Sequence, residues 1–464
     1  MGTLNRTRAQ SGLGDGEVAK PAIAGNADLD VIAQHMFALM MRNVTSAGYI
    51  IVEPVGGALS KPGCVIASPS YPRITPGIDQ DYVFHWVRDA AITAIEIAAA
   101  QGPAPAVGGA QSLIDYVTFS RLCQENVQEA AKRDTQLTLG HACFTVDGRP
   151  RPWSEQSDGP ALQTIAVIGV YDRLDAPTRA VANELIRINL DYLLGVYRQA
   201  TMNLWEEHKG LSFFARSVQL RCFREIAANT LGIPVPAGTD AAIAWLADAL
   251  DRHWNGTAYL SVLDADPPLA ADAGYDFNID VIGACLYGAV PPTDPRLLAT
   301  AAKLRAQWAD PASAVFYRIN GDDARRGFGP LLGRYPGDIY DGNTRDAEQG
   351  GHPWALCSCN LAELYYRVAN AVDAGGRVPL DELSRDFFGQ VGVGAGTAAA
   401  PAAQALRTAG DAILRAIVFH SNHLELSEQF DNTSGYEKSV RNLTWSYAAF
   451  LSAVRARTGQ AVEG

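Results

Sequence analysis

Two kinds of apolar stretch alternate along the chain. The first is one-sided. Between 180 and 200, Val181, Leu185, Ile188, Tyr192 and Val196 recur at steps of three and four, while Glu184, Arg187, Asp191 and Arg198 fall elsewhere. That period predicts an amphipathic helix with one buried stripe. Residues 28–44 read the same way, with Leu29, Ile32, Met36, Leu39 and Met40 on one face, and 109–132, 241–253, 296–308 and 402–419 follow. The second kind is apolar or small on nearly every side, in 89–100, 159–174, 212–220, 353–366 and 443–454. A helix of that sort has no face to offer to water and is expected to be buried all round. The alternation predicts an all-α protein of two concentric layers, inner helices sheathed by outer ones. Strand signals are few and short, at 258–262 and 314–319. No repeat of fixed period appears, which excludes a solenoid. No Pro- or Ser-rich linker interrupts the chain after Leu29, so 29–464 is expected to form one domain behind a flexible tail, 1–28.

Composition narrows the function classes. With 38 Lys and Arg against 50 Asp and Glu, the net charge of −12 argues against nucleic-acid partners, which need a basic face. No apolar run approaches the roughly 18 residues of a membrane span. The first 28 residues hold no apolar signal-peptide core, which leaves open a cytoplasmic protein or one secreted after loss of a leader. The seven cysteines have no metal-ligand spacing, and Cys357-Ser-Cys359 is too tight for a metal or redox motif. They are expected as buried apolar residues, with no metal and no cofactor. A monomer is expected.

The polar chemistry sits just before the all-apolar helices. Asp81-Tyr-Val-Phe-His-Trp-Val-Arg-Asp89, Trp153-Ser-Glu-Gln-Ser-Asp-Gly-Pro160 and Asn203-Leu-Trp-Glu-Glu-His-Lys-Gly210 come first. Gly333-Arg-Tyr-Pro-Gly-Asp-Ile-Tyr340 runs on to His352-Pro-Trp354, and Leu426-Ser-Glu-Gln-Phe-Asp431 leads to Arg441-Asn-Leu-Thr-Trp445. If the inner helices run parallel, these loops converge on one cavity. It would hold Tyr82, Trp86, Trp153, Trp205, Tyr335, Tyr340, Trp354 and Trp445 with Arg88, Asp89, Glu206, Glu207, Arg334 and Glu428. Aromatic platforms among carboxylates and guanidinium groups suit a sugar, whose ring offers C–H faces and whose edge carries hydroxyls.

Seven segments in this order resemble the glucoamylases of glycoside hydrolase family 15, over about 63–453. They are Val65-Ile-Ala-Ser-Pro-Ser70, the stretch 82–89, Asp158-Gly-Pro-Ala-Leu162, Leu204-Trp-Glu-Glu207, Gly333-Arg-Tyr-Pro336, Ser427-Glu-Gln429 and Leu443-Thr-Trp-Ser-Tyr-Ala448. The resemblance implies an (α/α)6 barrel that releases β-D-glucose from non-reducing ends of α-1,4-glucans by inversion. Glucodextranase-like α-1,6 activity, trehalase activity or a silent glucan-binding barrel are the alternatives.

The resemblance implies Glu206 as general acid and Glu428 as general base. An inverting pair sits about 6.5–9.5 Å apart to admit a water. Glu207, a like charge beside the acid, is expected to help keep Glu206 protonated. Arg88, Asp89, Glu207 and Arg334 would bind the terminal glucose, and the aromatic residues would line the pocket and next subsites. Asn203, Lys209 and Phe430 stand where the family usually has Asp, Asn and Tyr. Trp153 lies one residue closer to Asp158 than the family tryptophan does. The loop 341–351 is longer than in the fungal enzymes and carries Arg345, Asp346 and Glu348.

Overall fold

The computed structural model describes residues 26–72, 80–100, 109–270, 274–275, 277–342 and 351–459. Twelve helices build its two layers. In chain order they are α1 (Asn26–Met41), α2 (Val87–Ala100), α3 (Gly109–Ala131), α4 (Asp158–Val170), α5 (Ala176–Val196) and α6 (Phe213–Ala228). The second half holds α7 (Thr239–Asp251), α8 (Asp280–Leu286), α9 (Pro295–Ala309), α10 (Ala355–Gly375), α11 (Ala399–His420) and α12 (Thr444–Arg457). Two shorter helices, Arg318–Arg325 and Arg385–Gly389, lie in the connections.

The even-numbered helices form a closed ring. Each packs on the next, and α12 returns to α2. Every inner helix but the last is backed by the outer helix that follows it, and α1 covers α12. Burial matches the two patterns. All seven residues of α8 and the first twelve of α10 are buried, whereas α5 buries only Thr178, Ala182, Leu185, Ile186, Ile188, Asn189, Leu190 and Leu193. The buried face is turned slightly from the expected one. Val181 and Tyr192 only flank the core, because Ile186, Leu190 and Leu193 form a denser apolar row.

Local chemistry starts the helices where the sequence allows it. Asp175 and Asp294 cap α5 and α9 through the N–H groups of Thr178 and of Arg296 and Leu297, with Pro177 and Pro295 in the first turn. Ser212 caps α6 through the N–H of Ala215. Inner helices α4, α8, α10 and α12 have no side-chain cap, but α2, α4 and α8 carry Asp89, Asp158 and Asp280 in their first turns. Those carboxylates complement the positive ends of the helix dipoles.

Short antiparallel strands tie the loops together at the same end. β1 (His85–Trp86) pairs with β2 (Cys143–Phe144). β3 (Thr201–Met202), β4 (Lys209–Ser212) and β5 (Val262–Asp266) form a three-stranded sheet, and β6 (Gln429–Phe430) pairs with β7 (Glu437–Lys438). The strand expected at 258–262 thus begins only at its last residue. No strand forms at 314–319. There Tyr317 stacks on Trp308 at 5.9 Å, so its apolar character serves a tertiary contact, and a helix starts at Arg318. The run 212–220 continues as helix to Ala228. All seven cysteines are free and buried.

Gly410 lets α11 lie directly on α10. A Cβ there would stand 2.6 Å from the ring of Tyr366, whose hydroxyl donates to Asp411 at 2.8 Å and holds the ring in place. Gly410→Ala should therefore lower the thermal midpoint, because a clash of about 1–3 kcal/mol exceeds the roughly 1 kcal/mol gained in helix propensity. Gly375, at the end of α10, has nothing within 4 Å of such a Cβ. Gly375→Ala, followed in the same melting experiment, should be neutral or stabilising.

Candidate active site

One cavity of about 530 Å³ opens among the N-terminal ends of the inner helices. Arg88 and Asp89 enter it from α2, Leu356 from α10 and Trp445 from α12. A separate cavity is lined by Ala98, Gly169, Ala228, Leu286 and Arg455, near the opposite ends of the same helices. The inner helices are therefore parallel, and the informative loops do converge. Tyr82, Trp86, Trp153, Trp205, Glu206, Tyr340, Trp354 and Glu428 all reach the first cavity with Arg88, Asp89, Arg334 and Trp445. Glu207 and Tyr335 stand behind its wall.

Glu206 sits at the tip of the β3–β4 hairpin with φ +62°, a left-handed conformation that is strained for a residue with a Cβ. Asn203 imposes the turn. Its side-chain oxygen accepts the N–H groups of Glu207 at 2.9 Å and His208 at 3.1 Å, and its amide donates to the hydroxyl of Tyr275. The Glu206 carboxyl accepts Trp86 Nε1 at 3.1 Å and Trp153 Nε1 at 2.8 Å, with the Arg88 guanidinium 3.7 Å away. Burial pushes its pKa up, against the pull of Arg88 and the indoles. Asp89 is a like charge that adds to the rise. Glu207 is turned away. Arg334 holds its carboxylate at 3.1 Å and Tyr335 donates to it at 2.9 Å.

Glu428 precedes the β6–β7 hairpin. It accepts Tyr82 Oη at 3.2 Å, and the Ser439 hydroxyl donates to its other oxygen. Burial raises its pKa to about 7, against the lowering effect of Ser439, Arg334 and Tyr82. Asp89 is raised to about 6 by the same desolvation, offset by Arg88.

Two buried arginines organise the floor. Arg88 donates to Gln156 at 2.9 Å and Asp158 at 3.1 Å and lies over Trp445 at 5.3 Å. Arg334 makes a forked pair with Asp338, at 2.7 and 2.8 Å. Its guanidinium lies within 5.4 Å of the ring centres of Trp205, Tyr335, Tyr340 and Trp354. Arg88 Nε and Trp354 Nε1 are buried with no hydrogen-bond partner. Two donors left over in a cavity of this kind are available to a polar ligand.

Sequence reasoning missed several participants. Gln156, Asp158 and Asp338 fix the arginines, Asn278 accepts Trp205 Nε1 at 2.8 Å, and Gln80 and Arg151 line the cavity. Gln156, Asp158 and Asp338 stood inside quoted motifs, and for Asp338 the spacing of four residues from Arg334 was the available signal. Of the departures, Lys209 is exposed on β4. Phe430 is fully buried, 6.0 Å from the His420 ring, and the hydroxyls at Glu428 come instead from Tyr82 and Ser439. Arg345, Asp346 and Glu348 lie outside the described residues.

The family model for glycosyl hydrolases family 15 matches residues 38–455. A probable glucoamylase of Schizosaccharomyces pombe is 28% identical over 87% of this chain and 86% of its own. Glucoamylase 1 of Rhizopus oryzae is 27% identical over 82% of this chain and 65% of its own. Among solved structures, the Hormoconis resinae glucoamylase superposes with a TM-score of 0.76 at 25% identity, covering 94% of this chain and 74% of that one. The Hypocrea jecorina enzyme gives 0.77 at 24% identity, over 95% and 73%. The fold is the (α/α)6 barrel.

Burying Glu428 has a price in stability that pH exposes. As pH rises from about 4.5 to about 7, the unfolded chain releases this proton while the folded chain retains it, so stability falls through that window. Above it the penalty is on the order of 3 kcal/mol. Glu428→Gln carries no ionisation, so its thermal midpoint should exceed the wild-type value at pH 7.5 and the difference should shrink towards pH 4.5.

Proposed function

The chain belongs to glycosyl hydrolases family 15, and on that premise we propose that it is an exo-acting glucoamylase that releases β-D-glucose by inversion from non-reducing ends of α-1,4-glucans. One observation carries the reading. Two carboxyl groups with raised pKa values, on separate loops, face one cavity whose floor is built from paired arginines and indoles. In an inverting hydrolysis one carboxylic acid protonates the leaving oxygen and one carboxylate takes a proton from the attacking water. We assign these roles to Glu206 and Glu428. Arg88, Asp89 and Arg334 hold hydroxyls of the terminal glucose, with Trp205, Trp354 and Trp445 around its ring. Glu207 acts from behind by fixing Arg334, and Tyr335 by holding Glu207. The cavity is closed beneath Trp445, whose Nε1 meets the Tyr287 hydroxyl at 3.5 Å. A floor of that kind favours attack at a chain end.

Proton NMR of the sugar released in the first minutes from maltotriose, maltose, isomaltose and trehalose tests the reaction. β-Glucose should appear first, and fastest from the maltooligosaccharides. Release mainly from isomaltose or trehalose would move the linkage and keep the mechanism. α-Glucose as first product would overturn it. Glu206→Gln should lower kcat by about 10²–10⁴ with sugar binding kept, since the amide preserves shape but has no proton to give. Ser439→Ala removes a hydroxyl that stabilises the Glu428 carboxylate, so the acid limb of kcat/KM should move to higher pH.

A further inference from the structure

The cavity at the opposite end of the ring from the two carboxyls has no task in the machinery described so far. It encloses about 350 Å³, and all six inner helices line it: α2 through Glu96, α4 through Gly169, α6 through Arg221, α8 through Leu286, α10 through Arg367 and α12 through Arg455. That volume is at the lower end of the range for small-molecule sites, about 300–1,000 Å³. Tyr287, just past α8, separates the two cavities. It lines the second, and its hydroxyl meets Trp445 Nε1, in the wall of the first, at 3.5 Å.

The charge of this second cavity is the reverse of the molecule's. Four guanidinium groups line it: Arg173 just past α4 and Arg221 on α6, with Arg367 on α10 and Arg455 on α12 across the ring. Three carboxyls answer them. Glu225 takes Arg221 at 2.7 Å, Glu96 takes Arg455, and Glu363, from behind the wall, takes Arg367 at 2.6 Å. The cluster is thus left with a positive excess in a chain whose net charge is −12.

Part of the cluster is structural. Arg173 donates to the Ala98 carbonyl near the end of α2, and Arg221 and Arg367 donate to the carbonyls of Tyr287 and Leu286, at 3.3 and 3.1 Å. Cations at helix C-termini satisfy leftover carbonyls and offset the dipole. Three features go beyond that role. Arg173 has no carboxylate partner among the described residues, and its bond to Ala98 leaves most of its N–H donors unused. Arg455 acts on Arg367 as a like charge, so two guanidinium groups of neighbouring helices border one space while repelling each other. Gly169 stands in the last turn of α4, where a Cβ would meet nothing within 4 Å. Glycine weakens a helix relative to alanine, and no neighbour requires it here. Its effect is to keep the cavity open, on the same helix face as Ile165.

We propose that this second cavity binds a small oxyanion, a phosphate or carboxylate group, between Arg173 and Arg221 on one side and Arg367 and Arg455 on the other. Planar guanidinium forks match the oxygens of such a group, and a negative charge between them removes the repulsion. Ile92, Ile95, Ile165 and Ile168 give the cavity an apolar side suited to an organic body carried by the oxyanion. A neutral glucan fits poorly, since Tyr287 is the one aromatic platform among the described lining residues. The site does not depend on the hydrolase reading.

Isothermal titration calorimetry of the full chain tests it, in Tris–chloride at pH 7.5 and constant ionic strength, with inorganic phosphate, phenyl phosphate and benzoate as probes. At least one probe should bind saturably, one per chain. Tighter binding of phenyl phosphate than of phosphate would show that the ligand carries an organic body, and equal affinities would point to the free ion. Two variants locate the site, each checked for folding by its thermal midpoint. Gly169→Leu fills the cavity without removing a charge and should weaken the bound probe about tenfold or more. Arg173→Gln removes one guanidinium group and should weaken it about tenfold, as for loss of a charge-assisted hydrogen bond. No saturable binding of any probe to the wild type would overturn the proposal. So would an affinity unchanged in Gly169→Leu, which would put the ion elsewhere. An affinity unchanged in Arg173→Gln would overturn recognition by charge.

Discussion

The guanidinium group of Arg88 is the point on which the mouth of this barrel depends. It belongs to the first turn of α2, bonds Asp158 in the first turn of α4, approaches Glu206 on the hairpin before α6, and lies over Trp445 at the start of α12. Three of the six inner helices, and the hairpin that leads into a fourth, thus meet at one side chain. A group so deeply buried must have its charge matched, and losing one partner would leave an unpaired charge worth several kcal/mol. Glu207, Asp338 and Arg334 repeat the arrangement on the other side, within a box of four aromatic rings. The ring of helices fixes how closely these groups approach, and the ion pairs in turn fix how the helix starts are spaced.

Parallel inner helices make such a centre possible. Their N-termini, four of them without a side-chain cap, point one way, so positive dipole ends accumulate at the mouth, where acidic residues gain most. The same enclosure removes water, and desolvation is the largest influence on Asp89, Glu206 and Glu428 alike. The barrel supplies both the field that holds carboxyl groups there and the burial that keeps them from ionising at their ordinary pH. Left-handed backbone at Glu206 is a further local strain at that spot. It is held by Asn203, which shows why an amide can stand there: the turn needs an oxygen to accept two N–H groups, and either Asn or Asp offers one.

The layer order was legible because burial leaves a periodic mark. One-sided stripes became outer helices and all-apolar runs became inner ones. The fourth inner helix, α8, was not recognised, since seven residues are too few to show a period of 3.6. At 314–319 the apolar residues answered to Trp308 across the fold, a contact no local pattern carries. Convergence of the loops could be foreseen from their place before buried helices. Which carboxylate faces the cavity came from the family resemblance and not from any local pattern. Glu206 and Glu207 are adjacent and chemically identical, and only the turn built by Asn203 sends one to the cavity and the other to Arg334.

The partners of the two cavity carboxyls differ in a way that bears on their proposed roles. Glu206 is held by two indole N–H groups, which donate and never accept. A protonated Glu206 keeps both bonds on its lone pairs, yet neither indole nor the nearby Arg88 can take its proton. That proton is left for an oxygen brought by the ligand. Glu428 is held by two hydroxyls, which turn to donate when it is ionised and to accept when it is protonated. Its surroundings therefore fit both states. An acid needs neighbours that cannot intercept its proton, and a base that must gain and shed one needs neighbours that adapt. Residue type alone distributes the two tasks in the order proposed, although burial acts on both carboxyls in the same direction.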